Sequence, residues 1–337
     1  MTGWRIWRTI LYAIGFWSLI LSAGIIASQM LVREILLETT EPKRMFSYSS
    51  EGPNALARSA LLERQERLQY NCDEIAKYQE HPPISKADSF RNVIVDEQHK
   101  LLYCYVPKVA CTNWKRILMI ATGKWNGNNP LEIPADLAHS LSTFKRLSNY
   151  TLAEIEDMLT MYDKLIVVRH PLERLLSAYR NKFEAKNEKS SQYFQSRFGK
   201  KIIKKYRSNA TQESLTSGDD VTFREFVDFV SDNRNINNQN EHWKPINELC
   251  HPCLINYNLI SKYESLSEDA TEVLERIGVQ NINFPPKPPT NESTSKKLGR
   301  YYSTLSHVQL QKLTNLYKLD FKLFDYSLED VLGFSVA

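Results

Sequence analysis

Three stretches of this chain share one pattern: a short apolar run, a tight loop, and then a segment with helical periodicity. The apolar runs span residues 101–106, 164–168 and 258–263. They are short and rich in aromatic or branched side chains, as buried strands are. The helical segments are expected over residues 112–122, 171–183 and 266–277. Strands that alternate with helices predict an α/β fold in which helices flank a parallel sheet.

The N-terminus carries a second strong signal. Residues 9–32 form a run of 24 residues without a charge, between Arg8 and Arg33. A helix that crosses the ~30 Å hydrocarbon core of a bilayer needs about 20 such residues. The apolar core of a cleaved signal peptide is shorter, about 7–15 residues. The run therefore favours an uncleaved transmembrane anchor over a signal peptide that is cut after Ala23 or Ala27.

We accordingly divide the chain into a cytoplasmic tail (1–8), a signal anchor (9–32), a stem (33–89) and a globular domain (90–337). Residues 58–77 of the stem have helical character, and both a solvated stalk and a helix packed on the body fit their pattern. Three glycosylation sequons follow the anchor and begin at Asn149, Asn209 and Asn291. Three sequons beyond one anchor favour a lumenal body and a type II orientation.

The five cysteines are Cys72, Cys104, Cys111, Cys250 and Cys253. In an oxidising compartment some of them should pair, and the odd number leaves at least one over. Cys250 and Cys253 have C-x-x-C spacing, but a second ligand pair with zinc-site spacing is missing. We therefore expect a structural disulfide here, either local or to another cysteine, and no metal site.

The charge is unevenly distributed. The formal net charge of +4 gives no indication of a nucleic-acid partner. Between Arg180 and Arg207, however, ten Lys or Arg residues are opposed only by Glu184 and Glu188. Such a run usually covers a solvated helix face. Here we expect the run to help bind a polyanionic ligand, which it would attract over a Debye length.

The loop after the first predicted strand has the character of a phosphate-binding loop. Thr112 is expected to cap the following helix, whose first N–H groups and dipole favour an anion. Lys108 adds a full positive charge, although the G-x-x-x-x-G-K-[ST] pattern is absent. A capped helix beside a surface lysine is the alternative. The candidate phosphate-binding residues are Pro107, Lys108, Val109, Ala110, Cys111, Thr112 and Asn113.

The loop after the second predicted strand is a candidate for a second phosphate. Arg169 ends that strand, where ligand crevices lie in open α/β sheets. Ser177 follows eight residues later, so a guanidinium and a hydroxyl can converge on one anion. The alternative is a structural arginine before an amphipathic helix. The candidate residues here are Arg169, His170, Pro171, Arg174 and Ser177.

Together, the two loops resemble those of the sulfotransferases that use 3′-phosphoadenosine 5′-phosphosulfate (PAPS). Pro-Lys-x-x-x-Thr-x-Trp is similar to their 5′-phosphosulfate loop, and Arg-x-Pro with a serine eight residues after the arginine is similar to their 3′-phosphate motif. The chain most resembles sulfotransferase family 2, the Golgi carbohydrate sulfotransferases of the chondroitin 4-O-sulfotransferase type. Four stretches within residues 90–327 carry the resemblance: YCYVPKVACTNWKR, LSAYRNKF, LCHPCLINYNLISKYESL and LYKLDFKLFDYS.

The resemblance implies a sulfotransferase fold and a lumenal catalytic domain held in the Golgi membrane. PAPS would be the donor, adenosine 3′,5′-bisphosphate the product, and no metal would be needed. Lys108 would stabilise the leaving oxygen, while Arg169 and Ser177 would hold the 3′-phosphate. Family members often carry Glu at the place of His170, so we expect no obligatory role for that residue.

Further roles follow less directly from the resemblance. The acceptor hydroxyl needs a general base, for which His139 is the first candidate and His242 and Glu264 are alternatives. By analogy with C-terminal basic loops of distant sulfotransferases, further nucleotide contacts are assigned to Lys296, Lys297 and Arg300.

The acceptor that the resemblance implies is the 4-hydroxyl of N-acetylgalactosamine in chondroitin. Dermatan, N-glycan N-acetylgalactosamine and a terminal glucuronate are alternative acceptors. A P-loop kinase or nucleotidase would need a Walker lysine and a metal-binding acid, and neither is evident. An inactive glycan-binding protein would not need Lys108, Arg169 and Ser177 intact. Oligomer formation through the stem or the anchor stays open.

Overall fold

The computed structural model describes residues 54–77, 90–186, 188–232, 234, 239–287, 292 and 294–329, without the side chains of 294–296. The expected anchor (9–32), most of the stem and the sequon at Asn291 lie outside the described residues. None of the helices within these ranges is long and apolar enough to cross a membrane.

One four-stranded sheet lies at the centre of the described part of the chain. Its strands, in spatial order, are β1 (Val93–Asp96), β2 (Leu101–Cys104), β3 (Asp163–Val168) and β4 (Leu259–Lys262). β1 and β2 form an antiparallel hairpin, whereas β2, β3 and β4 run parallel. The predicted α/β class is confirmed, because the three predicted strands are the parallel members of this sheet. The edge strand β1 was not predicted.

Helices surround the sheet. Those before β4 are α1 (Ala55–Ala76), α2 (Cys111–Ala121), α3 (Ala135–His139), α4 (Leu152–Met161), α5 (Pro171–Tyr179), α6 (Lys189–Phe194), α7 (Lys200–Tyr206), α8 (Gln212–Ser217), α9 (Phe223–Val230), α10 (Ile246–Cys250) and α11 (Pro252–Ile255). Those after β4 are α12 (Leu266–Arg276), α13 (Thr294–Tyr302), α14 (His307–Leu316) and α15 (Lys318–Leu323). α5 continues into a π-helical turn at Arg180–Glu184, and a second π-helical turn at Gln195–Gly199 joins α6 to α7.

The register of the parallel strands determines where the two candidate loops emerge. Cys104 of β2 pairs with Ile166 of β3, and Val168 of β3 pairs with Lys262 of β4. The loops after β2 and β3 therefore leave the sheet side by side, at the carboxyl edge where open α/β sheets place their ligands.

Helix α1 packs on the body, although it falls within the predicted stem. Leu61 and Leu68 are buried in the core around the sheet. Arg64 Nη1 lies 2.6 Å from a carboxylate oxygen of the buried Asp269 on α12. The packed alternative is therefore the one observed, and the sequence alone had left this choice open.

The cysteines join distant segments. Cys72 of α1 is bonded to Cys253, and Cys104 at the end of β2 is bonded to Cys250. Cys111 is free and buried. The expected structural disulfides and the unpaired cysteine are confirmed. Of the two options for the C-x-x-C pair, bonds to other cysteines are the ones found.

A second apolar core holds α5 and its π-helical turn. Phe183, in that turn, packs against Phe226 of α9 with ring centroids 5.1 Å apart. The buried Trp243 contacts both rings, at 6.2 Å and 5.5 Å. This aromatic packing fixes the segment 241–244 against the turn that follows Ser177.

Candidate functional site

The loop between β2 and α2 has an unusual backbone. Lys108 and Ala110 both adopt left-handed conformations, with φ of 76° and 68°, and each such residue costs of the order of 1–3 kcal/mol. Ala110 is the N-cap of α2 and makes no side-chain cap bond. The expectation that Thr112 caps this helix is therefore wrong, because the helix begins at Cys111, one residue earlier.

Two arginines of the second motif hold this loop in place. Arg169 Nη1 donates to the carbonyl oxygen of Lys108 at 3.3 Å, and Arg174 Nε donates to that of Pro107 at 3.0 Å. Arg174 is buried, and its other two nitrogen atoms donate to the carbonyls of Lys244 and Glu241, both at 2.7 Å. The sequence predicts Arg174 as a nucleotide contact. The observed bonds instead make it a positioning residue for the loop.

Arg169 lies where the second motif predicted it, at the end of β3. Its Nε and Nη2 donate to Glu173 at 3.1 and 3.0 Å, and its guanidinium stands 4.2 Å above the ring of Tyr263. Ser177 is half-buried two turns along α5. The structure therefore brings Arg169 next to the loop that carries Lys108. Ser177 lies on α5, which begins two residues after Arg169.

Two predicted candidates belong to the scaffold. His170 is buried, with Nδ1 accepting from the N–H of Leu172 at 3.3 Å and Nε2 lying 2.8 Å from the carbonyl of Ser327. The carboxylate of Glu264 accepts from the N–H of His170 at 3.1 Å and from the hydroxyl of Tyr326 at 2.9 Å. Because both of its oxygens have protein donors, Glu264 is a poor candidate for the general base.

Lys108 reaches the π-helical turn after α5. Its Nζ donates to Asn181 Oδ1 at 3.0 Å. Burial, followed by repulsion from Lys182 and Arg169, lowers the pKa of Lys108 to about 8. Lys182 is itself buried, donates to Ser190 Oγ at 2.6 Å and has a pKa lowered by burial. The sequence indicates Lys182 only as a member of the basic run and gives no signal for Asn181.

The two candidate histidines, His139 and His242, make different hydrogen bonds and therefore carry their protons on different ring nitrogens. His139 Nε2 lies 2.9 Å from Thr112 Oγ1, and its Nδ1 lies 3.2 Å from Lys115 Nζ. Since an ammonium can only donate, Nδ1 accepts and Nε2 carries the proton. His242 Nδ1 lies 2.7 Å from Asn240 Oδ1, which can only accept. His242 therefore carries its proton on Nδ1 and has a lone pair on Nε2.

Both imidazoles are neutral. Loss of hydration, followed by repulsion from Lys115 and Lys182, lowers the pKa of His139 to about 4. Burial, followed by repulsion from Lys182 and Lys108, lowers the pKa of His242 to about 2. Lys108 thus acts on the pKa of His242, whereas His139 contacts the phosphate-binding loop directly through Thr112.

Five cations of this region have no acidic partner. Within the described residues, none of them has a carboxylate oxygen within 4.0 Å of its side-chain nitrogens: Lys108, Lys115, Arg116, Arg146 and Lys182. All five are buried or half-buried. Elsewhere, Arg64 and Arg207, which are also partly buried, are paired with acids. Partly buried positive charges without a carboxylate in contact indicate a site for an anionic ligand.

The remaining candidates are the glycosylation sequons and the C-terminal basic residues. Asn149 and Asn209 are exposed, as glycosylation sites must be. Lys297 lies 3.5 Å from Glu292, and Arg300 lies 3.9 Å from the same carboxylate. Lys296 falls among the side chains that are not described. The nucleotide contacts assigned to Lys297 and Arg300 would have to compete with Glu292.

The basic run divides into inward and outward parts. Lys182 points to the site, Lys205 pairs with Asp232 at 2.8 Å, and Arg207 pairs with Glu225 at 2.6 Å. Exposed side chains remain at Lys186, Lys189, Arg197, Lys201 and Lys204. The run is therefore only partly available to an external ligand.

Comparison with known proteins decides the family. The profile of the sulfotransferase family matches residues 91–327, which include both loops, His139 and His242. This chain belongs to the sulfotransferase family. The sulfotransferase is 41% identical over 282 residues to mouse carbohydrate sulfotransferase 11, with 82% of this chain and 79% of the relative covered.

Other relatives share less with this sulfotransferase. Zebrafish carbohydrate sulfotransferase 14 is 39% identical over 248 residues, which are 73% of this chain and 65% of that protein. Human carbohydrate sulfotransferase 9 is 38% identical over 240 residues, which are 70% of this chain and 53% of that protein. No solved structure matches significantly.

Proposed function

We propose that this sulfotransferase transfers a sulfuryl group from PAPS to a carbohydrate, at the 4-hydroxyl of N-acetylgalactosamine in chondroitin. The observation that carries the proposal is the set of five unpaired cations at the carboxyl edge of the sheet, beside two neutral histidines. The relatives named carbohydrate sulfotransferase 11, 9 and 14 support a carbohydrate acceptor.

The donor-binding residues follow from the loops. The first N–H groups of α2 and the ammonium of Lys108 would hold the 5′-phosphosulfate. Val109 and Cys111 are buried, so they can offer only backbone groups. Arg169 and Ser177 would hold the 3′-phosphate. Arg174 would keep the loop after β2 in its conformation through its bond to the carbonyl of Pro107.

In the transfer, the acceptor oxygen attacks sulfur while the bond from sulfur to the bridging phosphate oxygen breaks. The electron pair of that bond goes to the bridging oxygen, which leaves as part of adenosine 3′,5′-bisphosphate. Lys108 stabilises the charge that grows on this oxygen, as preorganised donors do in other group transfers. The proton of the acceptor hydroxyl must go to a base.

His242 is the base that the hydrogen bonds favour. Its Nε2 has a lone pair because Asn240 fixes the proton on Nδ1. His139, the first candidate from the sequence, carries its proton on Nε2 while Lys115 donates to Nδ1. A bound anionic donor would offset the charges of Lys108 and Lys182, which raises the pKa of His242 toward the range useful for a base.

The surroundings of the chain fit a secretory compartment. Two disulfides are typical of proteins that fold in an oxidising lumen. With the uncharged run at residues 9–32, they support a single-pass type II protein whose catalytic domain faces the Golgi lumen.

The test is a labelled-PAPS assay over desulfated chondroitin, dermatan, N-glycans ending in N-acetylgalactosamine and glycans ending in glucuronate, with disaccharide analysis of the product. We expect 4-O-sulfated N-acetylgalactosamine from chondroitin, and loss of nearly all turnover in Lys108→Ala with a smaller effect on PAPS affinity. Sulfation of another glycan in place of chondroitin would show that the proposed acceptor is wrong. Glycan binding without any turnover would indicate an inactive glycan-binding protein.

A further inference from the structure

We infer that Lys115, Arg116 and Arg146 form a carboxylate-binding subsite for the uronate next to the acceptor sugar. We call these three residues the acceptor patch. The inference rests on the proposed function and deepens it, because it names the part of the acceptor that the enzyme recognises. None of these residues belongs to the two loops that bind the donor.

The acceptor patch is built on rigid elements. Lys115 and Arg116 lie on α2, one turn after Thr112. Arg146 is on a segment that bridges to Ile94 of β1, and its N–H donates to Asn149 Oδ1 at 2.8 Å. Short, well-anchored connections of this kind hold a ligand-binding group in place before the ligand arrives.

Lys115 and Arg146 meet around one aromatic ring, and Lys115 also contacts an imidazole. Lys115 Nζ lies 3.8 Å from the ring centroid of Tyr105, and the guanidinium of Arg146 lies 4.8 Å from it. His139 Nδ1 is 3.2 Å from Lys115 Nζ, and the pKa of His139 is lowered first by burial and then by Lys115, Lys182, Arg116 and Arg146. The patch and His139 therefore face the same space.

The patch carries charge that the protein does not neutralise. Arg116 Nε and Arg146 Nη1 are buried nitrogens without a hydrogen-bond acceptor in the described part of the chain. Glu241 is the acid whose charge acts on Lys115 and Arg146, and its Oε2 accepts from the Tyr105 hydroxyl at 3.2 Å. One carboxylate against three cations leaves a net positive site.

The patch adjoins the donor loop through His139. His139 contacts both Lys115 of the patch and Thr112 of the loop. A uronate bound at the patch would therefore lie beside a sugar that reaches the donor. The planar guanidinium matches a carboxylate in two parallel bonds, and the uronate carboxylates are the negative charges of desulfated chondroitin.

The experiment compares chondroitin with chondroitin whose uronates have been reduced to glucose. Oligosaccharide affinity is measured by calorimetry with adenosine 3′,5′-bisphosphate bound, and kcat/KM is measured with PAPS. Wild type should prefer the acidic acceptor by about tenfold or more, and Arg146→Gln or Arg116→Gln should lose most of this preference. Both variants should bind the reduced acceptor and the nucleotide nearly as wild type does.

Lys145→Gln is the matched control. It removes the same charge one residue from Arg146, but its side chain is exposed and lies 3.1 Å from Glu97. It should leave the preference unchanged. If the Arg146 and Arg116 variants lost equal affinity for both acceptors, the proposed uronate subsite would be wrong. It would also be wrong if the wild type bound both acceptors equally well. Failure of wild type to turn over any glycan, with the binding preference intact, would instead count against the proposed reaction and leave the subsite standing.

Discussion

The surroundings of Lys108 lower the pKa of its ammonium group. Its pKa of about 8 reflects burial first and then Lys182 and Arg169. The charged form of Lys108 dominates below that pKa and is lost as the pH rises through it. We therefore expect kcat/KM for PAPS to decline above pH 8, because the neutral amine cannot stabilise the leaving oxygen.

The same environment supplies the control for this pH profile. Lys182→Met removes one of the repulsive charges, so the alkaline limb should move to higher pH even if the overall rate falls. The measurement is kcat/KM for PAPS across the neutral and alkaline range in both proteins. An unshifted limb would show that Lys108 does not control it.

The two histidines can be told apart by substitution. We expect His242→Asn to lower kcat by about 10²–10⁴-fold, the usual worth of a general base. His139→Asn should change the acceptor KM more than kcat, because His139 lies against Lys115 of the acceptor patch. Steady-state kinetics at saturating PAPS measures both. The opposite order of effects would restore His139 as the base.

Residue types and spacing could predict part of this site. Lys108 and Arg169 stand directly after apolar strands, so their place at the carboxyl edge followed from the α/β pattern. Lys115, Arg146 and Lys182 could not be found in that way. Their charges lack partners only because of where the fold puts them, and a sequence does not show which lysine lacks an acid.

At the level of elements, the second motif supports the first. α5 carries Arg174, which donates to three carbonyls of two other segments. Arg174→Met should leave these buried acceptors unsatisfied and lower the free energy of unfolding by at least about 2 kcal/mol. Urea unfolding measures the loss.

The control for this prediction is Arg224→Met, which removes an exposed arginine from α9. It should change the free energy of unfolding by less than about 0.5 kcal/mol. A similar loss in both variants would mean that the three carbonyl contacts of Arg174 contribute nothing specific.

Element prediction succeeded where periodicity was local. The parallel strands and the helices that follow them were found from short apolar runs and loop residues. The edge strand β1 is only four residues long and pairs through a hairpin, so it gave little periodic signal. The packing of α1 was open because its few leucines lie among charges whose partners, such as Asp269, are about two hundred positions away.

The whole molecule therefore needs α1 as part of its body. Residues 34–337 should be secreted as a soluble, glycosylated and active enzyme. A protein that begins at residue 90 should fail to accumulate, because Asp269 and Glu272 would stay buried without their arginines and Cys253 without Cys72. Breaking a buried ion pair typically costs about 3–5 kcal/mol.

Secretion yield and activity of the two proteins measure this prediction. Equal yield and activity would show that α1 is a dispensable stalk despite its contacts. A fully unglycosylated 34–337 product from a secretory host would contradict the lumenal placement.

The two disulfides limit the order in which this protein can fold during its synthesis. The cysteines of α1 and β2 are synthesised early, yet their partners follow 181 and 146 residues later. As the chain enters an oxidising lumen from its N-terminus, Cys72, Cys104 and Cys111 arrive together with only one another as partners. The native bonds must wait for the turn at residues 250–253. A nascent chain of this kind depends on disulfide isomerases to keep early pairs reversible until that turn emerges.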